Sequence, residues 1–180
     1  MFLNKLCLHI ALINIKAQVL TLKNHSPFQL SYLRDKPEAI EILSPSLYAL
    51  WGYHQKEKTL AGRIAMMKSR LNGRQVPTCV VASDGADILG TASLVDCDFE
   101  ERANLSPWLA TVYTAEKARG QGVGSALVSF IENEAQLLGF KKIYLVTPDK
   151  ESFYARLGWS TFERVDHHGT ASVLMEKLLK

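Results

Sequence analysis

The stretch KARGQGVGSALVSFIENEAQLLG, Lys117–Gly139, joins three closely spaced glycines to the strongest helical pattern in the chain. Gly120, Gly122 and Gly124 stand where that helix should begin. A glycine in place of alanine makes a helix less stable by about 1 kcal/mol, so three closely spaced glycines need a local explanation. Glycine allows left-handed backbone and lets a ligand come close to main-chain amides. We therefore expect the glycines to shape a helix entrance that receives an anion.

The residues after the glycines predict a helix over 123–138, with Gly139 as its C-terminal cap. Its predicted buried stripe contains Val123, Leu127, Phe130, Ile131, Leu137 and Leu138. Apolar strands are predicted on both sides of this helix, at Trp108–Thr114 and Lys142–Thr147. A strand–helix–strand unit favours a parallel pair with a right-handed crossover.

The remaining segments predict a mixed sheet around this unit. Before it we expect helices at Pro37–Trp51 and Glu57–Leu71, with a kink or break at Pro45 and a cap at Asn72-Gly73, and strands at Thr78–Ser83 and Ile88–Val95 joined by a tight turn. After it we expect a short helix at Ser152–Leu157 and a closing hairpin of Ser160–Val165 and Ala171–Glu176. The prediction is one α/β domain over residues 26–180.

Composition narrows the class of protein. The 180 residues are 47% apolar and 22% charged, which is typical of one globular domain. A net charge of +3 without a Lys/Arg-rich block argues against nucleic acid as a partner. Cys7, Cys79 and Cys97 are odd in number and lack metal-ligand spacing. They predict reduced thiols in the cytoplasm and no metal site.

The first twenty residues, MFLNKLCLHIALINIKAQVL, resemble a signal peptide in having an early lysine and an apolar run. His9 and Asn14 interrupt the run, which is too short to span a bilayer and lacks a small-residue cleavage site. We predict that residues 1–25 form either an extra strand or a poorly ordered lead-in, and expect no membrane partner.

Two well-known phosphate-binding loops do not match the glycine stretch. A Walker loop ends in Gly-Lys-Ser/Thr, whereas Gly124-Ser125 has no lysine between. The dinucleotide fingerprint needs Gly-x-Gly-x-x-Gly directly after a strand, whereas these glycines alternate and residues 114–119 intervene. We interpret the glycine stretch as a site where main-chain amides bind a diphosphate. The alternative is a flexible loop that leads into the helix and binds no ligand.

Two motifs carry a family resemblance. Arg119–Gly124, RGQGVG, has the form Arg/Gln-x-x-Gly-x-Gly/Ala, and Tyr154–Trp159, YARLGW, has the form Tyr-x-x-x-Gly-Phe/Trp. With this order and separation, the chain resembles the GNAT superfamily of acyl-CoA-dependent N-acetyltransferases over residues 78–177. The resemblance implies the GNAT-like acyltransferase fold, with acetyl-CoA as cosubstrate in a gap between two splaying parallel strands.

The resemblance also implies which residues bind acetyl-CoA. The candidates are Val112, Thr114, Arg119, Gly120, Gln121, Gly122, Val123, Gly124, Ser125, Thr147 and Ser152. Many family members have an asparagine after the second parallel strand, where this chain has Thr147 followed by Pro148. The Thr147 hydroxyl is expected to replace that asparagine in part.

Three catalytic candidates follow from the same resemblance. Tyr154 would protonate the departing CoA thiolate, and the Val112 amide would polarise the thioester carbonyl. The base is sought in the acidic stretch of Asp96, Asp98, Glu100 and Glu101, with Asp96 as the candidate. The alternatives are a Tyr154 that only packs among aromatic side chains and an acidic loop that is only solvated.

The expected reaction is acetyl transfer from acetyl-CoA to a primary amine of a small molecule or peptide. A non-catalytic acyl-CoA sensor is the alternative, and the glycine spacing opposes a nucleotide-dependent oxidoreductase. Trp51, Tyr53 and His54 are predicted either to line the acceptor pocket or to pack in the core. A monomer and a homodimer are both open.

Overall fold

A seven-stranded mixed sheet carries the helices, in a computed structural model that describes residues 28–52, 59–167 and 169–180. The strands are β1 (Gln29–Tyr32), β2 (Thr78–Asp84), β3 (Asp87–Val95), β4 (Trp108–Thr114), β5 (Lys142–Thr147), β6 (Ser160–His167) and β7 (Thr170–Leu178). Their order is β1-β2-β3-β4-β5-β7-β6. Only β4 and β5 are parallel neighbours, and all other neighbouring pairs are antiparallel. The predicted α/β fold with a central parallel unit is confirmed.

Four α-helices accompany the sheet in the described part of the chain: α1 (Ala39–Trp51), α2 (Leu60–Lys68), α3 (Val123–Leu137) and α4 (Glu151–Arg156). Helices α3 and α4 share a hydrophobic cluster with one face of the sheet, and α1 and α2 pack on the other face. Within the same described ranges, no helix has both the length and the apolar content that a bilayer crossing requires. The predicted lead-in, residues 1–25, lies outside them.

The buried stripe of α3 differs from the predicted one. The buried residues are Val123, Leu127, Val128, Ile131, Glu134 and Ala135. Leu137, a predicted core residue, is 53% exposed. It follows Ile131 by six residues, which at 3.6 residues per turn rotates it about 120° away from the stripe. Phe130 and Leu138 lie partly buried at the edge of the cluster.

Of the kink or break predicted at Pro45, the break is wrong, because helix α1 continues through Pro45. Pro45 lies on the exposed face of α1, where water can hydrate the carbonyl that loses its N–H partner. The predicted Asn72-Gly73 cap is also wrong, because α2 ends at Lys68 and Ser69 is its C-terminal cap. The Asn72 side-chain amide instead donates to Pro77 O at 2.8 Å and Ser69 O at 3.3 Å.

Strand β1 was not predicted. Its four residues form an edge strand beside β2, too short for a clear alternation of apolar and polar residues. The Tyr32 hydroxyl donates a 2.7 Å hydrogen bond to Glu134 Oε2 on α3, which fastens this edge to the helix layer. At the same end of α3, Gly139 has a φ of +89°, as expected of a C-terminal cap.

Candidate active site

Strand β4 pairs with β3 along most of its length but with β5 at a single position. Against β3 it is paired from Trp108, opposite Val95, to Thr114, opposite Gly90. Against β5 it is paired at one position, Trp108 opposite Tyr144. Parallel strands that pair at one position diverge beyond it, so the β5 side of β4 keeps main-chain groups without a ladder partner. The half-buried residues 111–114 line this opening between β4 and β5.

A β-bulge lies in the part of β4 that borders the opening. Thr91 is opposite Tyr113 and Ser93 is opposite Ala110, so Thr111 and Val112 together face one residue of β3. Thr111 has a φ of +54°, which is a strained conformation for a β-branched side chain. The bulge therefore places Val112, a predicted site residue, where its main chain is outside the β3 ladder.

The glycine stretch forms the predicted helix entrance. Gly120 and Gly122 have φ values of +76° and +82°, and a Cβ on either would meet no heavy atom within 4 Å. Gly122 is the N-cap residue of α3, and no side chain caps this end. The first N–H groups of α3 and the positive end of its dipole thus face open space. Arg119 and Gln121 are exposed beside them.

Gly124 has a different role from the other two glycines. A Cβ there would lie 3.3 Å from Thr114 Oγ1 and 3.5 Å from Phe153 Cζ. The missing side chain lets the start of α3 lie against the end of β4 and against α4. Two of the glycines therefore set the backbone conformation, and the third permits close packing. Val123 is buried, so only its main chain faces the entrance.

Tyr154 lies on α4 at the same side of the sheet as α3. Its ring is 7% exposed and packs edge-to-face with Phe153 and Trp159, at centroid distances of 5.0 and 6.0 Å. Its hydroxyl has no hydrogen-bond partner among the described residues, yet it is not one of the fully enclosed polar atoms. Burial raises the pKa of the Tyr154 phenol, and the negative charges of Asp98 and Asp149 raise it further. The phenol therefore keeps its proton at neutral pH.

The predicted acidic stretch divides into separate parts. Asp96 is exposed at the end of β3, whereas Asp98 is half-buried and its charge reaches Tyr154. Glu100 and Glu101 begin a 3₁₀ turn that ends at Arg102, whose guanidinium pairs with Glu163 of β6. Asp98, rather than Asp96, is thus the acid of this stretch that bears on Tyr154.

The other predicted residues have mixed surroundings. The Thr147 hydroxyl accepts a 3.2 Å hydrogen bond from the Lys150 N–H, which shapes the turn into α4. Ser152 is exposed on α4. Trp51 packs against the cluster formed by α1, α2 and β2, as the core-packing alternative predicts. Tyr53 and His54 lie outside the described residues.

Arg70 is a polar neighbour of the opening that the sequence did not reveal. Its Nη1 donates to Thr111 Oγ1 at 2.9 Å and to Ser93 Oγ at 3.0 Å. Arg70 and Thr111 are 41 residues apart and belong to different elements, so no motif or period connects them.

Cys79 and Cys97 are free thiols, and residues 28–52, 59–167 and 169–180 hold no cluster of three or more His, Cys, Asp or Glu suited to a metal.

Comparison with protein families gives a match over the part of the chain that contains this site. Residues 75–161 match the model of the acetyltransferase (GNAT) domain. N-alpha-acetyltransferase 80 of Mus musculus is 40% identical over 55 residues. That match covers 31% of this chain and only 18% of the mouse protein.

Solved structures show the same fold over most of the chain. An aminoglycoside 6'-N-acetyltransferase complexed with coenzyme A superposes with a TM-score of 0.66 at 18% identity, covering 84% of this chain and 97% of that one. The yncA protein of Salmonella typhimurium, with its cofactor acetyl-CoA, superposes with a TM-score of 0.64 at 18% identity, covering 85% and 94%. At these identities the likeness is one of fold.

Proposed function

Since the chain carries an acetyltransferase domain of the GNAT family, we propose that it transfers an acetyl group from acetyl-CoA to a primary amine of a small molecule or peptide. The observation that carries the proposal is the opening between β4 and β5, which has the entrance of α3 and the Tyr154 side chain on one side of the sheet. Acetyl-CoA supplies an activated thioester and an anionic diphosphate, and both have suitable partners among the residues of the opening.

The diphosphate is assigned to the start of α3. Main-chain N–H groups of residues 121–125 donate to its oxygens, and Arg119 adds a positive charge. The open space around Gly120 and Gly122 supports this assignment, because an anion needs room there. Main-chain groups of Val112 and Thr114 bind the pantetheine arm as an added strand would. Thr147 and Ser152 are assigned lesser contacts at the same opening.

Two residues are assigned to the reacting bond. The Val112 N–H donates a hydrogen bond to the thioester carbonyl oxygen, where negative charge develops as the amine attacks. The Tyr154 hydroxyl donates its proton to the sulfur as the carbon–sulfur bond breaks. The second role needs a phenol that is protonated at neutral pH, and the raised pKa of Tyr154 is compatible with that need.

The attacking amine must lose a proton, and an acid of the stretch after β3 is assigned to accept it. Asp96 is the residue predicted from the sequence, but the half-buried Asp98 is the better placed. Asp96→Asn and Asp98→Asn are a matched pair that decides between them. We expect Asp98→Asn to lower kcat for a basic amine and Asp96→Asn to leave it near the wild-type value. A lowered kcat in Asp96→Asn with an unchanged kcat in Asp98→Asn would instead identify Asp96 as the base.

An acetylation screen tests the proposed function. Purified protein is mixed with acetyl-CoA and a panel of small amines, antibiotics and peptides with free N-termini, and the released CoA thiol is measured. We expect release that depends on the amine. Binding of acetyl-CoA without release for any amine would instead support the acyl-CoA sensor.

Thermal unfolding distinguishes the cofactor class. A ligand at 100 times its Kd stabilises the folded state by about 2.7 kcal/mol. Acetyl-CoA at such a concentration should therefore raise the Tm, and NAD should leave it unchanged. A Tm raised by NAD alone would favour the oxidoreductase.

The free thiols of Cys79 and Cys97 support the further proposal that the protein works in the reducing cytoplasm.

A further inference from the structure

The bulge in β4 is held from outside the sheet by one arginine. Arg70 follows α2 and is half-buried. One of its guanidinium nitrogens, Nη1, donates both to Ser93 Oγ on β3 and to Thr111 Oγ1 on β4. Arg70 therefore bridges the two strands at the point where their register shifts.

The conformation of Thr111 needs such a support. A positive φ is unfavourable for a β-branched residue and persists only where the surroundings fix it. The Thr111 hydroxyl accepts its hydrogen bond from a permanently charged donor, and charged donors form stronger bonds than neutral ones. The bond from Arg70 thus acts directly on the residue whose backbone makes the bulge.

The bulge in turn decides where the next amide points. Val112 follows Thr111, and the two together face one residue of β3, so Val112 has no one-to-one partner in that ladder. A regular β4 would return the main chain of Val112 to the alternating pattern of the β3 ladder. A change of φ at Thr111 therefore re-aims the Val112 N–H.

We propose that Arg70 is a positioning residue for acetyl transfer, which holds Thr111 in its left-handed conformation and so directs the Val112 N–H into the opening between β4 and β5. The inference rests on the proposed function and adds to it a residue that acts through another. Arg70 comes from the α2–β2 segment, so that segment takes part in shaping the reaction site.

Kinetics of paired variants test the proposal. Arg70→Gln and Thr111→Val each remove one end of the hydrogen bond, and Thr111→Ser keeps the hydroxyl. We expect kcat to fall about 10–100-fold in the first two, because an amide donor displaced from its carbonyl loses much of its effect. Thr111→Ser should recover most of the turnover, and the Arg70→Gln/Thr111→Val double variant should be no slower than the slower single variant.

CoA affinity separates positioning from general damage. CoA lacks the acetyl carbonyl and keeps only the pantetheine contacts assigned to Val112 and Thr114, so its Kd should change much less than kcat in every variant that folds. Arg74→Gln is the matched control, because its side chain is 63% exposed beside Glu134, away from the bulge. It should keep the wild-type kcat. If Arg70→Gln fails to fold, the comparison of Thr111→Val with Thr111→Ser decides the question.

A backbone measurement makes the inference testable without turnover. The ¹³Cα and ¹³Cβ chemical shifts of Thr111 report its φ, and Arg70→Gln should move them towards values of extended backbone. Unchanged shifts, or an unchanged kcat, would overturn the proposal. A raised KM for the amine with an unchanged kcat would overturn it too, because Arg70 would then contact the acceptor. A wild-type protein that acetylates no amine would refute the proposed function, while the shifts would still show whether Arg70 holds the bulge.

Discussion

The two edges of β5 differ sharply although the same six residues form both. Towards β7, each residue from Lys142 to Thr147 has a partner, from Leu178 to Val173. Towards β4, Tyr144 alone is paired, with Trp108. The β7 edge uses its hydrogen-bonding capacity within the protein, whereas the β4 edge leaves donors and acceptors for a ligand. We therefore expect substitutions at the closed edge to lower stability and substitutions at the open edge to lower activity.

The largest expected effect is at the open edge. Tyr154→Phe removes one hydroxyl and keeps the ring that packs on Phe153 and Trp159. We expect kcat to fall by about 10²–10⁴ with CoA affinity and Tm retained, because only the general acid is lost. Steady-state kinetics and calorimetry measure these quantities.

Tyr144→Phe is the matched control, since Tyr144 lies on β5 at its single pairing with β4. It should turn over at the wild-type rate. A Tyr154→Phe variant with wild-type kcat would leave Tyr154 as a packing residue.

The closed edge should respond in the opposite way. Leu174 of β7 is fully buried and opposite Val146. Leu174→Ala should lower the free energy of unfolding by about 2–5 kcal/mol, because it leaves a cavity in the core. Turnover per folded molecule should change less than twofold, as measured by urea titration and kinetics on the same preparation.

Leu178→Ala in the same strand is the control, since Leu178 is 67% exposed. Its unfolding free energy should stay within about 0.5 kcal/mol of wild type. If Leu174→Ala lowered the turnover per folded molecule more than twofold, the closed edge would contribute to activity as well as to stability.

The two ends of α3 allow a narrower form of the same comparison. Gly122 and Gly139 both have positive φ, and a Cβ on either would meet no atom within 4 Å. Gly122→Ala and Gly139→Ala should therefore each cost about 1–2 kcal/mol of folding stability from backbone strain. Only Gly122→Ala should weaken CoA binding, measured by isothermal titration, because only that end is assigned to the diphosphate. Equal CoA affinities of the two variants would show that the start of α3 does not bind the diphosphate.

The smallest expected effect is one of pH. Burial and the charges of Asp98 and Asp149 raise the pKa of Tyr154 above the ordinary phenol value of 10.0. The folded protein thus holds this proton more tightly than the unfolded chain, so the stability from this group is present below pH 10 and falls as the pH rises beyond it. Ultraviolet titration of phenolate in the wild type and in Tyr154→Phe should show no ionisation of Tyr154 at pH 10. A difference between the two at that pH would contradict the raised pKa.

Local patterns determined much of the central unit. The bounds of β4 and β5 agree with the prediction, because a short run of β-branched and aromatic apolar residues bounded by turn residues is typical of a strand. The family resemblance drawn from Arg119–Gly124 and Tyr154–Trp159 is confirmed by the domain match over residues 75–161. The roles of individual site residues stay predictions.

Other features depended on surroundings that local sequence does not describe. Pro45 inside α1 is tolerated because that face is exposed, and Leu137 is exposed because the sheet covers a neighbouring stripe of α3. The choice between Asp96 and Asp98 depended on which carboxylate comes near Tyr154, a residue more than fifty positions away along the chain.

The sequence by itself determined the helix entrance, because glycines at a helix start act through local backbone conformation. It also contained the two motifs and predicted the strand–helix–strand unit between them, but not β1 or the position of β7 between β5 and β6. The family resemblance implied the opening between β4 and β5. Only the tertiary structure decided that β4 has a bulge beside this opening, that Thr111 is strained there, and that Arg70 donates a hydrogen bond to it. The physical reason is that hydrogen bonds between distant segments depend on how the elements pack, and packing is a property of the whole fold.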